Sequence, residues 1–132
     1  MAFYSLVCGI EGYALYANHL NAKDYPDHWA AALNIAKRMR QIAAPMSEGK
    51  DTRTVSVKES PGAGSIFYRE IALSGQHILI AVNMSAGAAR ARWQFSRPVR
   101  AAVLFENRAT KHRADTVSDV FEPWGVHIYE WR

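Results

Sequence analysis

The residues with the widest chemical reach in this chain are its carboxylates and histidines. Glu11, Glu106, Asp115, Asp119 and Glu122 are the carboxylates from which an acid–base pair could be drawn. Cutting a glycosidic bond takes two carboxyl groups about 5 to 10 Å apart, facing each other across the bond. No motif here sets two of the five at such a separation, so no catalytic pair is assigned. His19, His28, His77, His112 and His127 scatter over different predicted elements. Neither H-x-x-x-H nor H-E-x-x-H occurs, and metal ligation is not expected. Gly-x-Ser-x-Gly, the turn that would present a nucleophilic serine, is absent. Gly62-x-Gly64 does not open a helix and reads as a hairpin turn, so no nucleotide cofactor is implied. The single cysteine, Cys8, rules out an internal disulfide and a cysteine zinc site; it reads as a small buried apolar residue.

Aromatic and basic residues offer binding chemistry instead. Trp93, Trp124, Trp131 and Tyr129 could stack on sugar faces or pack as core. Trp93 alternates with arginines and should point inward. Trp124, beside Pro123 in a loop, is the best exposed candidate for a sugar contact. The net charge is +4 and the isoelectric point about 9.4. The cations fall in three groups, Lys37-Arg38-x-Arg40, Arg90 with Arg92, and Arg108-x-x-Lys111-x-Arg113. These read as three separate solvated faces, on a helix, a strand and a loop. They do not interleave with aromatics as single-strand binders require, and no nucleic-acid partner is expected.

The elements that must position these groups follow from periodicity. With 132 residues the chain can build one domain with a core, while a (β/α)8 barrel needs about 250. Hydrophobic residues at 49% and charged residues at 21% fit a globular chain. No apolar run approaches the roughly 20 residues of a membrane helix, so no membrane partner is expected. The start lacks a basic segment and meets Glu11 early, unlike a signal peptide.

Phe3, Leu6, Val7 and Ile10 recur at helical spacing, and Gly9 suits a helix stop. Residues 10–17 read as a strand buried on both faces, followed by a loop with Asn18, His19 and Asn21. The clearest helix runs from Pro26 to about Ala44, with Asp24 or Asp27 near its start and Pro45 ending it. Its apolar stripe is Trp29, Leu33, Ala36 and Met39, widened by Ile35, Ile42 and Ala43. Residues 47–54 read as a polar linker. Seven strands then follow, over 53–59, 65–73, 77–84, 88–95, 99–106, 112–119 and 125–131, separated by turn residues. Ala89, Ala91, Trp93 and Phe95 alternate with Arg90, Arg92 and Gln94, which predicts one buried and one wet face. Residues 78–82 are apolar throughout, which predicts a central strand covered on both sides, with the long helix as its cover.

The tail Asp119-x-Phe121-x-Pro123-x-x-x-His127-x-Tyr129 resembles the end of the all-β domain that follows the (β/α)8 barrel in many glycoside hydrolases. Phe3-Tyr4-Ser5-Leu6, Gly9, Gly12 and Tyr16 resemble the last βα unit of such a barrel. The resemblance implies an α+β chain. Residues 1–46 would form a helix-strand-helix unit, and residues 47–132 a seven-stranded antiparallel β-sandwich of the glycosidase C-terminal type. It implies an accessory, non-catalytic role, because the catalytic carboxylates of these enzymes sit on earlier strands. It also places Tyr16, Asn18 and His19 on the rim of a parent active site, where they would contact carbohydrate. The other readings of the chain are a stand-alone carbohydrate-binding or protein-interaction module and, third, a small basic nucleic-acid binder. Without barrel neighbours the apolar segment 2–17 should drive self-association into a homo-oligomer.

Overall fold

The computed structural model describes residues 2–9, 23–58 and 65–132. Its elements are α1 (Ala2–Val7), α2 (Pro26–Gln41), α3 (Ala43–Glu48) and nine strands: β1 (Lys50–Thr52), β2 (Val55–Lys58), β3 (Ile66–Leu73), β4 (Gln76–Asn83), β5 (Ala89–Phe95), β6 (Ala102–Leu104), β7 (Lys111–Arg113), β8 (Thr116–Phe121) and β9 (Val126–Trp131). The chain is therefore α+β, with two antiparallel sheets. One has the order β1-β3-β4-β9-β6 and the other β2-β5-β8-β7.

The count is nine strands where the sequence suggests seven. Two local events account for the difference. The polar stretch read as a linker holds β1, which pairs with β3 through Lys50↔Ala72 and Thr52↔Glu70. The expected strand over 112–119 folds back on itself, with β7 pairing β8 across a turn in which Ala114 has φ 53°. An eight-residue polar run without glycine hides such a turn, since the left-handed position is filled by alanine. The expected strand over 99–106 shortens to Ala102–Leu104, and Phe105 turns the chain out of it at φ 67°.

Alternation puts one side of each sheet into a shared core. Trp93, Ala91, Phe95, Val117 and Phe121 of the second sheet meet Leu79, Ala81, Tyr129 and Trp131 of the first. Trp93 lies edge-on to Phe121 and Tyr129, the arrangement aromatic quadrupoles favour. The opposite face of β4 and β9 presents Ile78, Ile80, Val82 and Ile128 to Phe3, Leu6, Ile42 and Met46. The strand over 76–83 is thus covered on both sides, as its continuous apolar run requires.

The cover differs from expectation. The short helices α1 and α3 do the packing, and α2 has no buried residue. Only Ile35 and Met39, late in its stripe, touch the core, while Trp29 and Leu33 stay exposed. The helix also breaks earlier than Pro45, at Ile42, and a new helix begins with Pro45 in its first turn. A first-turn position needs no intrahelical N–H bond, so proline is accepted there. Tyr25 occupies the N-cap of α2 with no side-chain cap bond, and Asp27 lies in the first turn, where a carboxylate suits the helix dipole. Cys8, expected in the interior, is exposed. The expected strand over 10–17 lies outside the described residues. No described helix is long and apolar enough to cross a membrane.

Candidate functional site

Three places in the sandwich gather polar side chains. The first is a chain of charge at one end of the core. Asp119 faces inward from β8, where its neighbours Val117 and Phe121 are core, so its carboxylate must find partners as it leaves water. Arg108, in the connection after β6, supplies a bidentate pair: Nη1 donates to Oδ1 at 2.8 Å and Nη2 to Oδ2 at 2.7 Å. Tyr129 of the facing sheet donates its hydroxyl to Oδ2 at 2.7 Å. Arg108 Nε also donates to Glu106 Oε2 at 2.6 Å. Nδ1 of His127 lies 2.6 Å from Glu106 Oε1, and its Nε2 lies 3.1 Å from the Val120 carbonyl.

Burial pushes the Asp119 carboxyl upward, but the Arg108 and Tyr129 hydrogen bonds outweigh it and hold it below the usual carboxylate range. Burial and the neighbouring Asp119 carboxylate push the Tyr129 hydroxyl far up, so it stays a donor. Asp119 pushes the Arg108 guanidinium up as well. The Asp119 carboxylate is therefore an ionised acceptor, not poised as the protonated acid that glycosidic cleavage needs. The cluster is a structural clamp between the two sheets.

A third carboxylate is spent on the chain crossing between sheets. Glu70 on β3 accepts from the Thr54 amide at 2.7 Å, the Thr54 hydroxyl at 2.5 Å and the Val55 amide at 3.1 Å, with His77 Nδ1 at 3.0 Å. Burial would raise its pKa, and these bonds, led by the Thr54 hydroxyl, bring it below the ordinary glutamate value. Thr54 lies between β1 of one sheet and β2 of the other, so Glu70 pins that crossing.

The third place carries Trp124. Asn83, fully buried at the end of β4, donates from Nδ2 to the carbonyls of Gly87 and Glu122 at 2.8 and 3.0 Å. Its Oδ1 accepts from the hydroxyls of Ser65 and Ser85 and from the Ser85 amide. One side chain thereby ties the β4–β5 loop to the β8–β9 turn. In that turn Trp124 has φ 58° and donates its amide to Ser85 O at 3.2 Å. Gly125 closes it, and a Cβ there would sit 2.9 Å from Glu122 O. Trp124 is thus held outward, 58% exposed, on a stiff support.

Of the binding residues expected from sequence, Trp124 stands alone on this surface. Trp93, Tyr129 and Trp131 are core, with exposures of 0, 1 and 4%, so no four-ring platform exists. Tyr16, Asn18 and His19 lie outside the described residues. The histidines are dispersed: His77 stacks on Trp131, His112 sits on Thr110 and the Ala101 carbonyl, and His28 stacks on Tyr25. An open groove of about 990 Å³ runs along the sandwich edge, with Arg100, His112, Glu130, Trp131 and Arg132 among its walls.

Sequence reasoning missed the Arg108–Asp119 and Asn83 clusters. Asp119 at an inward position of β8 was the available signal, since a charge in a core register demands a partner.

No protein-family model matches the sequence, and no curated protein matches it. Solved structures do match the fold. Against an isomaltulose synthase from Klebsiella sp. LX3 the TM-score is 0.58 at 17% identity, over 91% of this chain and 21% of that one. Against an Anoxybacillus alpha-amylase, described as belonging to a new glycosyl hydrolase subclass, it is 0.53 at 10% identity, over 71% of this chain and 20% of that one. The chain thus shares its fold with about a fifth of the length of each.

Proposed function

We propose that this chain is a non-catalytic accessory β-sandwich of the kind that accompanies a glycoside hydrolase barrel, with residues 1–46 as the end of the barrel and 47–132 as the sandwich. The observation that carries this reading is the fold match to one fifth of two sugar-acting enzymes, over most of this chain. The chemistry agrees. Glu106 and Asp119 are spent on Arg108, and Glu70 on the sheet crossing. The sandwich supports by burial, and Tyr16, Asn18 and His19 would lie on the parent rim, in contact with carbohydrate.

The test is turnover. Purified chain incubated with aryl α-glucosides, maltooligosaccharides and sucrose is expected to release no product. Release that disappears on changing a carboxylate of this chain would overturn the accessory role.

A second reading, a carbohydrate-binding module, is favoured by Trp124, an exposed indole on a rigid turn. Stacking of a sugar there would quench tryptophan emission, and Trp124→Ala would abolish the change.

Self-association through the apolar N-terminal segment belongs to the first reading, and α2 offers a further surface for it. The described part of that segment, α1, is packed on β3 and β4. Tyr25, Trp29 and Leu33, on and beside α2, are a group of large apolar side chains left in solvent, at 45, 39 and 53% exposure, besides the exposed Phe67, Val120 and Trp124 elsewhere.

A further inference from the structure

The strand order brings together cations that are far apart in sequence. In the second sheet, Lys58 of β2 lies opposite Arg92 of β5, Arg92 opposite Ser118 of β8, and Ser118 opposite Lys111 of β7. Cross-strand partners share a face, so these four form one row across the sheet, roughly 14 Å long at strand spacing. Arg90 and Arg113 flank the row on the same outer face. All five cations are exposed, and none has a carboxylate partner among the described residues.

The outward positions of these four strands hold no acid at all. Asp119, the one carboxylate on them, points into the core. Between the cations stand Ser56, Gln94, Thr116 and Ser118, which can bond hydroxyl groups. A groove of about 290 Å³ opens there, walled by Arg90, Arg92, Lys111, Ser118 and Val120, with Asp119 at its wall already paired to Arg108.

Such a face is costly by itself. Like charges directly opposite on neighbouring strands destabilise a sheet, and Lys58–Arg92 is such a pair. Lysines on the edge strands β2 and β7 discourage strand pairing with other chains. That need does not explain Arg90 and Arg92, which stand on the inner strand β5.

We infer that the outer face of the β2-β5-β8-β7 sheet binds an acidic polysaccharide, a linear glycan bearing carboxylate or sulfate groups. Charge complementarity requires an anion, and the row matches an extended polymer better than a compact one. Arginine pairs carboxylate or sulfate through two parallel N–H bonds, and the hydroxyl and amide side chains suit the sugar hydroxyls between charges. Single-stranded nucleic acid is the weaker fit, because none of these outward positions carries an aromatic ring for bases to stack on. The binding stands on its own, whether or not the chain supports a barrel.

The experiment measures binding of the full chain to polygalacturonate, dextran sulfate, neutral dextran and oligothymidylate of matched length, at low salt and again at high salt. Binding to at least one acidic polysaccharide is expected, weakened by salt, with none to dextran. Arg90→Ser/Arg92→Ser should weaken it about tenfold. Lys37→Ser/Arg40→Ser removes the same charge from α2 and should leave it unchanged. If the first variant fails to fold, Lys111→Ser reads the same face. Binding to neither acidic polysaccharide would overturn the proposal. So would equal loss in both double variants, which would reduce the effect to net charge. Oligothymidylate bound as tightly as the glycan would transfer the face to nucleic acid and end the polysaccharide assignment.

Discussion

Tyr129 and Asp119 lie on opposite sheets and meet through a 2.7 Å hydrogen bond inside the sandwich. The bond ties the two layers at a point where Trp93 and Phe121 exclude water. A hydrogen bond to a charged acceptor is worth about 1.5–3 kcal/mol. Tyr129→Phe should therefore lower unfolding free energy by about 2 kcal/mol, with the slope of urea denaturation unchanged. A loss under about 0.5 kcal/mol would mean that Arg108 alone suffices to hold Asp119.

The same carboxylate makes stability depend on acid. Asp119 and Glu70 both have folded-state pKa values below their ordinary ones. A depressed carboxyl adds stability above its unfolded pKa and loses it as pH falls through the folded value. The urea midpoint should be flat down to about pH 5 and fall below about pH 4. Asp119→Asn should be less stable at neutral pH and show a shallower acid limb. An unchanged acid limb would assign the effect to Glu70.

Asn83 makes five hydrogen bonds that join the β4–β5 loop to the β8–β9 turn. Asn83→Ala strands buried carbonyls and should cost about 3 kcal/mol. It should also loosen the turn that displays Trp124. Trp124→Gly should do the reverse, relieving a positive φ and stabilising by up to about 1 kcal/mol. Chemical denaturation checks both, and hydrogen exchange at the Trp124 and Gly125 amides reports the turn itself.

The uncovered stripe of α2 gives a fourth expectation. Wild-type chain should associate as its concentration rises in sedimentation velocity. Trp29→Ser/Leu33→Ser should remain monomeric, with stability changed by no more than about 0.5 kcal/mol, because neither side chain is core. A wild-type monomer throughout would remove α2 as a contact surface.

What the sequence determined alone is whatever depends on short-range periodicity. Ala89, Ala91, Trp93 and Phe95 alternate with Arg90, Arg92 and Gln94, and a strand with that pattern has one dry face in any partner's company. Residues 78–82 had to be covered twice, because no face of the run is polar. Trp124, flanked by Pro123 and Gly125, had to be in a turn.

Only the tertiary structure decided which of these faces meet. The cover of β3 and β4 went to α1 and α3, and α2 reaches that core only through Ile35 and Met39, which its own stripe cannot reveal. Arg108 reaches Asp119 from eleven residues away, across a hairpin whose turn carries no glycine signal. The basic residues near 58, 90 and 111, separate in sequence, share one surface because β5 pairs with both β2 and β8. Strand order and register rest on long-range contacts, whose cost in chain entropy is repaid only when the whole core assembles, and no local pattern encodes that sum.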